Sequence, residues 1–405
     1  MSSAVEVCIE WNGATHIVGA MHPAAHGESI VFRYAADWLG YPDAFAIDPV
    51  SLPLNGGTFP SMRLPGAVAD AGPDRWGRIL IERAVRQGVL EKRPYRSIDY
   101  LLAVDDVARI GALRFRWSGS QTFAGSGSGV IPPLVRLREL LAATDAVHEN
   151  RATSKDLRFL LGAGSPLGGA RPKCLVSLPD GRLAIAKFSK PDDTRDIPAG
   201  EILGMAVARA AGICTADHEL VRADGRSVAI ITRFDRVGVQ RLPFISASTL
   251  LGLSQDDSGS YTRLADAIRV HGDRVQEDLA ELWRRVIYSI MASNFDDHMR
   301  NHSFLMQRPA AWSLAPAFDI NPTPAIDRAR QPKTPVSEDS HLLDDPVAAI
   351  DEAFRHAARF GLETKDARRI SDEVRQAVSQ WRSLGKRLGI PASTLSAYTD
   401  AFHAS

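Results

Sequence analysis

The chain has 405 residues with 48 basic and 48 acidic side chains, so no net field draws it to nucleic acid or to a membrane surface. Its hydrophobic content of 45% and charged content of 24% are those of a globular protein large enough for two or three packed units. Cys8, Cys174 and Cys214 form no CxxC pair, the N-terminus shows no signal-peptide pattern, and no apolar run reaches about 18 residues. A disulfide framework and a structural zinc site are excluded, and a cytoplasmic protein without a membrane partner is expected.

In chain order, residues 5–10 and 15–21 flank Asn12-Gly13, the turn pair that closes two-residue hairpins. A further strand is expected at 28–34, a helix at 77–90 and a strand at 111–117. Residues 1–117 therefore read as an α+β subdomain. The Gly- and Ser-rich stretch 118–133 reads as a linker. Helical spacing at 134–148 and 154–162 leads into a Gly-rich turn, and strand patterns recur at 173–178, 183–188 and 227–233. Residues 134–240 form a β-rich N-lobe core. From 241 to 405 the pattern is helical, with apolar stripes over 281–293 and 370–384. The predicted class is α+β and two-lobed: a β-rich N-terminal lobe with the added subdomain, a cleft, and an all-helical C-terminal lobe.

The chemistry concentrates in NFDDHMRN, 294–301. Asp296 precedes Asn301 by five residues, the spacing by which a protein-kinase catalytic loop places its base before an Asn that holds magnesium. Asp319, in LAPAFDINP, follows where a second metal carboxylate is required, though Asp before Ile-Asn-Pro also initiates turns. His298 joins the catalytic candidates as the third position of D-x-H-x-x-N. With His302 it also makes an i, i+4 pair, but Met299 stands where HExxH needs Glu.

Upstream, Lys187 lies in an apolar strand-like run, either as an edge-strand lysine or as a clamp over nucleotide phosphates. Glu201, at the start of a helical pattern, is its candidate partner, and a Glu in a first helical turn also suits the helix dipole. In GSPLGGARPKCLV, 164–176, Gly168, Gly169 and Ala170 let backbone approach an anion, while Arg171 and Lys173 add charge. In ITRFDR, 231–236, Phe234 is either a core residue or one that packs on a purine, which the Thr232 and Arg233 backbones would then hydrogen-bond.

The chain resembles the HipA family of bacterial serine/threonine kinases, the toxin halves of type II toxin–antitoxin pairs. The resemblance rests on SLPL (51–54), GPDRWGR (72–78), GALRF (111–115), GGARPK (168–173), DDHMRNHSFL and PAFDI, which occur together and in order. It implies a kinase using ATP and Mg2+, with Lys187 as phosphate-binding lysine, Glu201 as its partner, Asp296 as base, and Asn301 and Asp319 as magnesium ligands. It also implies a protein substrate such as an aminoacyl-tRNA synthetase, a HipB-like helix-turn-helix antitoxin, and operator DNA reached indirectly through that antitoxin. Family members autophosphorylate a serine in the Gly-rich loop. Here Pro166 stands just before Leu167, and Ser165, one step earlier, is the autophosphorylation candidate. Competing readings are a kinase of small molecules or lipids and a non-catalytic co-repressor partner of an antitoxin.

Overall fold

The chain begins as a hairpin because Asn12 (φ 51°) and Gly13 (φ 75°) both adopt the left-handed backbone that a tight two-residue turn requires. In the computed structural model, which describes residues 4–125, 131–162, 169, 171–254, 257–325 and 331–403, this hairpin seeds the first of four sheets. Its strands are β1 (Val5–Trp11), β2 (Ala14–Pro23), β3 (Ile30–Tyr34), β4 (Phe59–Ser61) and β5 (Leu113–Trp117), all antiparallel in the order β4-β3-β2-β1-β5.

The second sheet contains β6 (Lys173–Ser177), β7 (Leu183–Phe188), β8 (His218–Ala223) and β9 (Arg226–Thr232), ordered β6-β7-β9-β8. A short hairpin follows, β10 (Arg236–Val237) with β11 (Gln240–Arg241), and then a three-stranded sheet of β12 (Phe244–Ser246), β13 (Ser303–Arg308) and β14 (Ala311–Leu314) in the C-terminal lobe. The C-terminal lobe is thus not all-helical. The run Ser303–Met306 pairs with β12 on one edge and β14 on the other, so both edges of the strand find backbone partners.

Two helices carry most of the architecture. Ile197–Ala210 starts at Asp196, whose carboxylate caps Ala199 N at 3.1 Å, and is buried on nearly every side. Glu201 therefore lies in its second turn, not its first. Val275–Met291 buries Leu279, Leu282, Trp283, Val286 and Ile287 along one face. It stops at Met291, and Ser293 turns into the left-handed region (φ 45°), which ends the helix before the 294–301 segment. The stripe predicted over 370–384 is two helices, Thr364–Ser379 and Trp381–Arg387, meeting at Gln380.

Residues 1–117 are built into the rest of the chain. The helix Arg75–Arg86, capped by Asp74, packs Trp76 and Leu80 into the same apolar cluster as Leu157, Leu160, Val176 and Ala186. Arg233 donates to the carbonyls of Ala108 (2.8 Å) and Arg109 (2.9 Å), and Gly111 N donates to Asp235 at 2.7 Å. Asp70 accepts from Ser246 N at 2.7 Å and from Thr249 Oγ1 at 2.7 Å. The described part of 118–133 also folds back: Ala124 N donates to Phe115 O, and Ser177 N to Pro132 O. A separate and larger apolar cluster runs from Val5 through the C-terminal helices to Phe402.

Candidate active site

Lys173 and Lys187 are cross-strand partners on β6 and β7, so one face of this hairpin carries two opposed ammonium groups. Like charges so placed destabilise a sheet unless each is neutralised. Lys187 Nζ donates to Glu201 Oε1 at 2.5 Å and to Asp319 Oδ1 at 2.7 Å, with all three side chains largely buried. Burial disfavours the Lys187 charge, but Asp319 and Glu201 outweigh it and hold the ammonium above its ordinary range. Burial likewise opposes ionisation of Asp319, and Lys187 overcomes it, holding that carboxyl well below the usual range. Burial pushes Glu201 up, with Lys187 pulling against it. One cation faces two carboxylates, leaving a surplus negative charge of the kind a divalent cation neutralises.

Asp319 has φ 57°, a left-handed conformation that Asp tolerates better than most residues. Asn321 Nδ2 fixes it by donating to Asp319 O and Oδ1, each at 3.1 Å. The space for this turn comes from Gly204, where a Cβ would meet Pro322 Cδ at 2.7 Å and Ile320 Cγ2 at 3.1 Å. Backbone bonds stitch the 319–323 turn to the 293–301 loop: Asn321 N donates to Asn294 Oδ1 at 2.9 Å and Thr323 N to Ser293 O at 3.0 Å.

Within that loop the adjacent acids have separate fates. Asp297 is buried and accepts from Tyr261 Oη (2.7 Å) and Ser289 Oγ (3.0 Å), with His302 Nε2 3.0 Å away. Asp296 is exposed and ion-paired with Lys333. Asn301, buried, donates Nδ2 to Asp296 O at 3.1 Å, which leaves its Oδ1 for another partner. Asn301 and Asp319 thus offer oxygen donors of the type a hard divalent cation takes. His298 is half-buried, and its carbonyl accepts Asn301 N at 2.7 Å to close the turn. His302 faces Asp297 and packs edge-on to Tyr261. Among the described residues no cluster of three or more His, Cys, Asp or Glu is arranged to hold a metal.

The remaining candidates are placed differently from expectation. Lys173 Nζ is buried and bound to Asp74 Oδ2 at 2.5 Å and Gly169 O at 3.2 Å. Arg171 makes a bidentate pair with Asp193, at 2.8 and 3.0 Å. Both cations therefore carry carboxylate partners. The amides of Thr232 and Arg233 are not available to a purine, because they donate to Asp217 O (2.7 Å) and Leu183 O (2.8 Å) in the sheet. The Arg233 guanidinium is buried against Asp235. Phe234 is half-buried beside Phe318, ring centroids 5.4 Å apart. Ser165, Gly168 and Ala170 lie outside the described residues.

Asp74, Asn321 and Lys333 complete the site without having been singled out in the sequence. The Asp-x-Asn spacing at 319–321 is a signal for an Asx-type turn that could have found Asn321. On the other side of the loop, Ala247 N donates to His302 O (2.8 Å) and Ser248 N to Met299 O (3.1 Å). This turn floors a groove of ≈ 700 Å³ lined by Arg63, Arg78, Arg300, Met62 and Ser248.

Residues 165–381 match the family model described as the HipA-like C-terminal domain, and residues 11–116 match the HipA N-terminal domain model. Over 233 residues the chain is 25% identical to Y4dM of Sinorhizobium fredii, provisionally named a kinase, covering 51% of this chain and 53% of that protein. A protein of Haemophilus influenzae, also provisionally named a kinase, is 25% identical over 201 residues, covering 45% of this chain and 55% of the relative. The chain spans about half the length of the curated relatives it matches. Its fold is that of HipA from the Shewanella oneidensis MR-1 complex of HipA, HipB and operator DNA, with a TM-score of 0.69 at 16% identity, covering 98% of this chain and 94% of that one.

Proposed function

The chain belongs to the HipA family, and from that membership we propose that it is an ATP- and Mg2+-dependent protein serine/threonine kinase, the toxin of a toxin–antitoxin pair. The observation that carries the reading is Lys187 held between Glu201 and Asp319, which brings a phosphate-binding cation and a metal carboxylate to one point from opposite lobes. Lys187 holds the nucleotide phosphates and Glu201 orients it. Asn301 and Asp319 hold Mg2+, which when bound neutralises charge on the phosphate oxygens. Asp296 positions the acceptor hydroxyl and takes its proton, while Asp297 stiffens the loop through Tyr261, Ser289 and His302. In a loose phosphoryl-transfer transition state, this placement and charge neutralisation are most of the catalysis.

The kinase names of the two relatives support the activity. The HipB and operator DNA in the Shewanella complex support a HipB-like antitoxin, with DNA contact through it. The substrate would be a protein of the translation apparatus such as an aminoacyl-tRNA synthetase, and a groove lined by Arg300 of the loop is open to a protein segment. The test is incubation with γ-labelled ATP, Mg2+ and a bacterial lysate, wild type beside Asp296→Asn. Labelled protein with wild type, reduced by about two orders of magnitude or more in the variant, is expected. A silent wild type, or equal labelling by both, overturns the reading.

A further inference from the structure

The segment at 333–334 is laid directly onto the loop that carries Asp296. Lys333 N donates to Phe295 O at 3.0 Å, and Thr334 Oγ1 donates to Asp297 O at 2.7 Å. These bonds grip the two residues that flank Asp296, and the Lys333 ammonium pairs with the Asp296 carboxylate itself. Three other cations near the site are engaged by carboxylates: Lys187 by Glu201 and Asp319, Lys173 by Asp74, Arg171 by Asp193. The Lys333 and Asp296 side chains are 55% and 53% exposed, so their pairing adds little to stability. An anchored backbone carrying a half-exposed ammonium contributes little as a fold-stabilising device. It does place a cation beside the carboxylate around which phosphate would move.

We infer that Lys333 is a catalytic residue, whose ammonium neutralises the phosphoryl group as it passes to the acceptor held by Asp296; this rests on the kinase reading. In the step, the acceptor hydroxyl oxygen bonds to the γ-phosphorus and its proton goes to Asp296. The bond from the γ-phosphorus to the β–γ bridging oxygen breaks, and ADP leaves with the electron pair. Lys333 exchanges no bond. It moves from Asp296 to the γ-phosphate oxygens when ATP and acceptor are present, so that charge gathering there meets a prepositioned cation. With no nucleotide it stays on Asp296 and keeps the base oriented.

The test uses the full chain with Lys333→Met and Lys333→Arg. Three readouts are taken: phosphate transfer from γ-labelled ATP, ATP affinity by direct titration, and thermal unfolding. Lys333→Met is expected to lower kcat by about 100-fold, the scale of losing one preorganised charge-stabilising group. Its ATP affinity should stay within about threefold and its Tm should not move, and Lys333→Arg should recover most of the rate. A kcat for Lys333→Met close to wild type overturns the inference while the kinase reading stands. So does a rate loss matched by lost ATP affinity or lost Tm, which would make Lys333 a structural tether. A wild type that transfers no phosphate overturns the kinase reading, and the inference with it.

Discussion

Lys173 and Lys187 stand opposite each other in the β6–β7 register, yet their charges are answered from different parts of the molecule. Lys173 is bound by Asp74 at 2.5 Å, from the N-terminal subdomain, and Lys187 by Asp319 at 2.7 Å, from the C-terminal lobe. The strand hairpin between them is therefore an electrostatic junction of all three units. Loss of Asp74 would leave Lys173 buried without its carboxylate, whereas loss of Asp319 would leave Lys187 with Glu201 alone.

Lys187→Met should destabilise the protein as well as silence it. Glu201 and Asp319 would remain buried without their shared cation, and breaking a buried pair in this way costs about 3–5 kcal/mol. Protonation of Glu201, already pushed up by burial, would recover part of this. Urea unfolding of the variant at pH 7 and pH 5 checks it: the deficit should shrink at the lower pH.

Asp235 should make stability fall in acid. It is fully buried between Arg233 and Arg236; burial opposes its charge, but the two guanidinium groups bring its carboxyl down to about 2. Its ordinary value is 3.8, so below that pH the unfolded chain takes the proton first. The stabilisation is complete above about pH 4 and lost as pH drops toward 2, on the order of 2 kcal/mol in all. Asp235→Asn should be less stable at neutral pH and should lack this part of the acid slope, as measured by denaturant unfolding from pH 5 to 2.

Asp319→Asn and Asp319→Ala should separate the metal role from the backbone role. Both remove the carboxylate, so both should weaken Mg2+-dependent ATP binding by about tenfold or more, the scale reported for supporting groups of metal sites and a floor for a ligand itself. Only Ala gives up a side chain suited to the left-handed turn at φ 57°. It should therefore cost about 1 kcal/mol more in stability than Asn. Mg2+ titrations of ATP binding and thermal melts of the two variants check both halves.

Ser165 should be phosphorylated by the enzyme itself. A phosphate there adds nearly two negative charges to the Gly-rich segment, and ATP affinity should fall. Mass spectrometry after incubation with ATP and Mg2+ should find phosphate within 164–166 in wild type and not in Asp296→Asn. An active kinase without phosphate in this segment is switched off by other means.

Much of the fold was legible because its signals are local. Asn12-Gly13 dictates a hairpin, the apolar spacing of 281–293 dictates a helix, and Asp296 lies five residues from Asn301 in one loop. The departures also have local causes that pattern reading overlooks. The residues around Gln380 keep helical spacing across a break. The position of Glu201 was misjudged by one turn because Asp196, a good cap, precedes a proline at 198 that reads as a loop.

Local chemistry along the chain sets the groups and the elements that carry them: a lysine on a strand, a glutamate on a helix, two acids and an amide on loops. Which of these groups meet depends on how distant segments pack. Asp319 reaches Lys187 across 132 residues of chain, and Lys333 reaches Asp296 from beyond the turn. The same packing withdrew Lys173, Arg171 and the amides of Thr232 and Arg233 into structural bonds. Periodicity and turn chemistry act over a few residues and leave a mark in the sequence. The pairing of buried charges depends on how sheets and helices stack, a relation between distant segments that no local pattern records.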